Sequence, residues 1–397
     1  MRDLKHLIYF EDLLQDANNA LVQKASADGR LALAYNCSYI PELLLDVEGC
    51  FGVRLRAPRC TNPDLATYYM TNRSCPYSKS ILERAFEGGY NFIDALLGQE
   101  CCTTMNRMEQ YFDYCKLIPK EKFFISFIDM PLKKTEWHAG YFRRQIEQKI
   151  IEPLERVYGV DFSEEKLLAA IEQHNEVCRI ISEIGDMRKL PNPPVTGYEF
   201  HVIQLVSLTC PKDLILPYLR ETLEEIKTRE PDDRPYRARL ALVGSEIDDS
   251  GVIKLIEDCG AYVCVDRYCF GSFPGRVPIE LNDEEDAFTQ VCRHYVYMGQ
   301  CPRTMNMEKV YGRKAYVNDL CKEYRADGVI YQQIKFCDPW AYERLLGSTM
   351  LRDDYGYPVL SIDRPYNISA SVGQMRTRVQ AFIESIEIKN LQGGAKK

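Results

Sequence analysis

The run Gly328-Val329-Ile330-Tyr331-Gln332-Gln333-Ile334-Lys335-Phe336-Cys337-Asp338-Pro339 decides the fold. Gly328 to Ile334 reads as an apolar β-run, and the Asp-Pro behind Cys337 reads as a helix start, because proline suits the first helical turn. A strand that hands over to a helix is the unit of an α/β sheet, and its carboxyl end is where such folds carry their chemistry. Two similar arrangements lie upstream. Cys37 follows Leu31-Ala32-Leu33-Ala34-Tyr35-Asn36, and Cys101-Cys102 follow Phe92-Ile93-Asp94-Ala95-Leu96-Leu97. Several thiols are therefore expected on one edge of the fold, and convergent thiols usually hold a metal.

Outward from these runs, strand-length apolar segments alternate with stretches of helical period along the whole chain, which predicts a parallel sheet flanked by helices. Strands are expected at Leu31 to Tyr35, Val53 to Arg56, Phe92 to Leu97 and Phe123 to Ile128. A second group is expected at Arg239 to Val243, Ala261 to Val265, Gly328 to Ile334 and Val359 to Ile362. Between the groups, Trp137 to Tyr158, Phe162 to Ile184 and Leu214 to Arg229 have helical period. The cluster Leu190-Pro191-Asn192-Pro193-Pro194 marks the expected boundary between two domains, 1–195 with a helical extension and 196–397 with a helical connector at its start.

The 397 residues suffice for two cores of ordinary size. A net charge of -8 argues against a nucleic-acid backbone as partner, which would call for excess Lys and Arg. No apolar stretch approaches the roughly 20 residues that span a bilayer. The start, Met1-Arg2-Asp3-Leu4-Lys5-His6, has no secretory pattern, so a cytoplasmic location is expected. There the 16 cysteines would be reduced, serving as metal ligands, reactive thiols or small buried hydrophobes.

No Cys-x-x-Cys knuckle occurs, which speaks against a zinc ribbon or finger. Ligands scattered over loops of two domains suggest a larger object lodged between them, and an iron-sulfur cluster fits. Ser74-Cys75-Pro76 and Cys337-Asp338-Pro339 look like helix N-termini, whose free N–H groups and dipole stabilise thiolates. Cys102-Thr103-Thr104 looks the same. Each half also offers thiols in a similar order: Cys37, Cys75 and Cys102, then Cys269, Cys301 and Cys337. Cys50, Cys60, Cys115, Cys178, Cys210, Cys259, Cys264, Cys292 and Cys321 read as buried hydrophobes.

The chain resembles the iron-sulfur subunits of the 2-hydroxyacyl-CoA dehydratases and the related ATP-dependent benzoyl-CoA reductases. The resemblance rests on Tyr35 to Glu42, Cys75-Pro76-Tyr77-Ser78-Lys79-Ser80, Cys102 to Met108, Ala326 to Ile330, Phe336 to Pro339 and Gly373 to Phe382. It implies two flavodoxin-like domains with a 4Fe-4S cluster in the interdomain cleft, held by Cys75, Cys102 and Cys337. It also implies an acyl-CoA substrate, an ATP-dependent iron-sulfur activator protein that injects an electron, and pairing with a sister cluster subunit as a homo- or heterodimer. The implied reaction is radical elimination of water from a 2-hydroxyacyl thioester through a ketyl, a lyase activity. Thr103 stands where the family usually has Asp, and Cys101 sits beside the expected ligand. Cys37, Cys269 and Cys301 are additional thiols, and relatives with thiols there include double-cubane cluster proteins that reduce small molecules. That oxidoreductase alternative stays open, as does a benzoyl-CoA reductase-type electron-transfer role.

Tyr39 and Glu42, just past the first strand, are candidates for positioning substrate or moving protons. His138, His174, His201 and His294 have neither metal spacing nor a partnered nucleophile and read as helix residues. Gly271-Ser272-Phe273-Pro274-Gly275 lacks the Lys-Ser/Thr ending of a phosphate loop. Arg267, Arg276 and Arg303 could meet a CoA phosphate, with surface ion pairing as the alternative.

Overall fold

The computed structural model describes residues 3–58, 60–100, 102–231, 235–272, 277–303 and 307–394. Cys101, Arg276 and much of the glycine loop after Ser272 lie outside them.

Eight strands form two four-stranded parallel sheets. In the first, β1 (Leu31–Tyr35), β2 (Cys50–Arg54), β3 (Ala95–Gln99) and β4 (Phe124–Ile128) take the order β2-β1-β3-β4. In the second, β5 (Ala238–Gly244), β6 (Ala261–Arg267), β7 (Gly328–Ile334) and β8 (Val359–Arg364) take the order β6-β5-β7-β8. The same flavodoxin-like order occurs twice. In each sheet the chain reverses direction of winding beside the first strand, and the crevice outside the carboxyl ends at such a switch point is where open α/β sheets bind ligands.

The strand β7 occupies the predicted residues, while β3 starts three residues later than Phe92. Asp94 is occupied otherwise: its carboxylate accepts the Ala32 N–H at 2.8 Å, and Lys120 binds both Asp94 and the Phe92 carbonyl. The expected helix from Trp137 to Tyr158 is interrupted by a π-helical turn at Glu147–Ile151. Pro153 follows within the next helix, Glu152–Tyr158, and its missing N–H removes one α-helical bond at that point. The other two connector helices run Glu164–Asp186 and Lys212–Thr228.

One helix, Gly197–Thr209, is absent from the periodicity reading. It is apolar nearly all round, with Phe200, Val202, Ile203, Leu205 and Val206 buried, so it presents no stripe to detect. It packs between β2 and β6, one strand from each sheet. Thr196 starts it with a reciprocal cap, accepting the Glu199 N–H at 3.0 Å while Glu199 accepts the Thr196 N–H at 2.9 Å. Gly197 permits the close approach, since a Cβ there would fall 2.6 Å from the Val263 carbonyl oxygen.

The predicted buried cysteines are buried with one exception, Cys115, which is half-buried at a helix C-cap. His138, His174, His201 and His294 all lie on helices.

Candidate functional site

Between the carboxyl ends of the two sheets is a cavity lined by Cys37, Cys75, Cys102, Cys269, Cys301 and Cys337 together. The six thiols are delivered by different local structures. Cys37 follows β1, and Cys269 follows β6. Cys75, Cys102 and Cys337 are N-caps of the helices Pro76–Phe86, Thr103–Tyr114 and Asp338–Asp353. Cys301 follows the helix Ala287–Met298.

The order of thiols in the two halves is less symmetric than the sequence suggests. Cys102 after β3 matches Cys337 after β7, but Cys37 follows the first strand of its sheet and Cys269 the second of its own. The position after β5 that corresponds to Cys37 is held by Ser245 and Glu246, which also line the cavity. β5 reaches it through Gly244, at φ +149°, where a Cβ would collide with the Gln332 carbonyl oxygen at 1.8 Å. Phe336, immediately before Cys337, takes the left-handed conformation at φ +63°, a strained choice for an aromatic residue.

Burial dominates the electrostatics. It pushes the Cys75 thiol up to about 12, with Cys102 adding repulsion and the Ser78 and Tyr77 N–H groups opposing it. Cys337 is raised by burial, then by Cys75, Cys102 and Cys269, against the Trp340 N–H. Cys269 is raised by burial, Glu246, Cys301 and Cys37. Burial and Cys37 also lift Cys301 to about 12. Repulsion thus links Cys75, Cys102 and Cys337 with one another and Cys37, Cys269 and Cys301 with one another, and Cys269 also acts on Cys337. Thiolates can persist in such a place only when a bound cation takes up their charge. Among the described residues, no three His, Cys, Asp or Glu side chains gather closely enough around one point for a single ion. The thiols line the walls of the space instead.

Tyr39 belongs to this cavity, and its phenolic oxygen accepts the Cys301 N–H at 3.1 Å. Glu42 does not line it. Glu42 faces a neighbouring pocket that shares Ser38 and Arg54 with the thiol cavity. There it lies 3.2 Å from His174 Nδ1 and accepts the Tyr295 hydroxyl at 2.6 Å. Burial opposes its charge, but His174, Lys212 and Tyr295 hold it down at about 2.

Sequence reasoning did not single out Glu246 or Arg54. Glu246 has its Oε1 buried without a hydrogen bond, and burial raises it to about 8 despite Arg54. Arg54 donates to the Cys269 carbonyl at 2.7 Å and lies over the Phe270 ring. The signal for Glu246 was its place one residue beyond Gly244-Ser245 at the end of β5, equivalent to the Asn36-Cys37 exit of β1. Arg267, a candidate phosphate ligand, is buried at the end of β6 and donates to Gln300 at 2.9 Å, whereas Arg303 lines the cavity.

No helix among the described residues is long and apolar enough to cross a membrane. Residues 37–386 match the sequence model of the family described as 2-hydroxyglutaryl-CoA dehydratase, D-component. The chain is 24% identical to the (R)-phenyllactyl-CoA dehydratase beta subunit of Clostridium sporogenes, over 95% of this chain and 97% of that one. It is 21% identical to the (R)-2-hydroxyglutaryl-CoA dehydratase beta subunit of Acidaminococcus fermentans, over 92% and 95%. Identity to a subunit of the benzoyl-CoA reductase of Thauera aromatica is also 21%, over 96% of each chain. With two flavodoxin-like sheets and a family match that spans most of its length, the chain belongs to the 2-hydroxyglutaryl-CoA dehydratase D-component family of enzyme subunits.

Proposed function

We propose that this chain is the iron-sulfur subunit of a 2-hydroxyacyl-CoA dehydratase-type lyase, with a 4Fe-4S cluster held by Cys75, Cys102 and Cys337. The observation that carries the reading is the meeting of those three thiols, each at a helix N-terminus, in one cavity between two sheets. The donor set suits the group: soft thiolates, with main-chain N–H groups directed at Cys75 and Cys337. When bound, such a cluster supplies a low-potential electron and an open, Lewis-acidic iron to the thioester.

The protein's own part is to shape and dry the space. Met105, Ile334, Pro339 and Trp340 give it apolar walls, which exclude water from a reactive radical. Tyr39 fixes the Cys301 main chain. Glu246 holds a proton at neutral pH beside the thiols, at a carboxyl group without a partner on Oε1. A sister cluster subunit and an ATP-dependent activator complete the proposed system, in keeping with relatives that are themselves named as subunits.

A second reading has its own observation. Cys37, Cys269 and Cys301 form a second set in the same cavity, which suits a double-cubane cluster and reduction of small molecules. Anaerobic purification with iron and sulfide analysis separates the two: about four irons per chain supports the dehydratase reading and about eight the double cubane. An iron-free protein purified anaerobically, and not reconstituted by iron and sulfide, would sink both.

A further inference from the structure

The segment Gly299-Gln300-Cys301 is a partition. On one side Cys301 lines the thiol cavity, and Gly299 lies so close to Tyr39 that a Cβ would meet its ring at 2.4 Å. On the other side Gly299 and Gln300 line a separate, open pocket together with Lys133, Lys134, Lys309 and Arg313. The carboxylate in its lining is Glu308. In a chain with net charge -8, this is a local reversal of sign.

The cations crowd one another. Burial lowers the Lys134 ammonium, and Lys309 and Arg313 lower it further. Lys309 is lowered by burial and by Arg313, against Glu308. Lys134 donates to the Tyr297 carbonyl and Lys309 to the Leu132 carbonyl, so main-chain oxygens aim both amines. Arg313 is anchored by Glu343 at 2.8 Å. An anion entering the pocket would relieve this repulsion and gain charge-assisted hydrogen bonds.

We propose that this pocket binds the phosphate groups of a phosphorylated ligand, and that the nucleotide end of coenzyme A docks there with its acyl end directed across Gly299–Cys301 to the thiols. The coenzyme part rests on the acyl-CoA reading above, whereas the phosphate site stands on the cation cluster itself.

The test is calorimetric titration of the anaerobic, cluster-containing protein with coenzyme A, pantetheine and inorganic tripolyphosphate. Coenzyme A and tripolyphosphate should bind competitively, more weakly as salt rises, and pantetheine should bind at least about tenfold more weakly than coenzyme A. Lys134→Glu and Lys133→Glu should each weaken tripolyphosphate binding about tenfold or more, while Lys149→Glu, the same charge change at an exposed helical position, should alter it less than about twofold. Lys133 is exposed, so its variant remains informative should Lys134→Glu fail to fold. Tripolyphosphate binding without competition from coenzyme A would support the phosphate site and overturn the coenzyme assignment. Equal tripolyphosphate affinity in the wild type, Lys133→Glu and Lys134→Glu would overturn the site.

Discussion

Tyr39, at the exit of the first sheet, accepts the main-chain N–H of Cys301, in the segment that follows the helix Ala287–Met298. One hydrogen bond thus sets the position of a cavity thiol 262 residues further along the chain. Tyr39→Phe removes the acceptor from a buried donor, at a cost of about 1 kcal/mol. The expected result is a fall in melting temperature of roughly 1–2 °C with bound iron largely kept. Calorimetry and iron analysis on the same sample check it.

The two thiol sets should differ in consequence. Replacing Cys75, Cys102 or Cys337 with Ala is expected to abolish most iron binding and all activity. Replacing Cys37, Cys269 or Cys301 leaves the iron content unchanged for a single cubane, and a loss of about half would establish the double cubane. Inductively coupled plasma measurements on anaerobic samples read the difference.

The buried pair of Glu42 and His174 gives a pH signature. His174 is raised from 6.5 to about 10, because Cys178 and Glu42 outweigh the burial that opposes its charge. Glu42 is lowered from 4.5 to about 2. The contribution of His174 is complete below pH 6.5 and is lost as pH rises toward 10. That of Glu42 is complete above pH 4.5 and is lost as pH falls toward 2. Stability from this pair therefore peaks between those limits. Urea midpoints measured across pH should decline on the alkaline side, and His174→Gln should flatten that decline.

Gly244 has no room for a methyl group, given the Gln332 carbonyl 1.8 Å from the Cβ position. Gly244→Ala must push β5 from β7, which should destabilise the second sheet by about 3 kcal/mol or more. A large drop in the urea midpoint, or insoluble protein, is expected. A midpoint within error of the wild type would show that the strands part more easily than their packing implies.

The strands were legible where alternation of apolar runs and turn residues is strong, and β7 appears at its predicted residues. The meeting of Cys75, Cys102 and Cys337 in one cavity was legible for the same reason, because strand ends and helix starts share one edge. Glu246 was not singled out, since an acidic residue after a strand carries no local mark of burial and its register with Cys37 was the one pointer to it. Nor was the helix Gly197–Thr209, whose uniform apolarity erases the period that betrays a surface helix. Its start was readable, however, in the Thr196-x-x-Glu199 cap.

That same helix limits how the enzyme can breathe. Because Gly197–Thr209 is wedged against a strand of each sheet, swinging the halves apart like a clamshell would strip solvent-averse side chains from both sides at once. Traffic to the sulfur-lined chamber must then pass through the loops at its rim, with the rear of the molecule acting as a fixed spine.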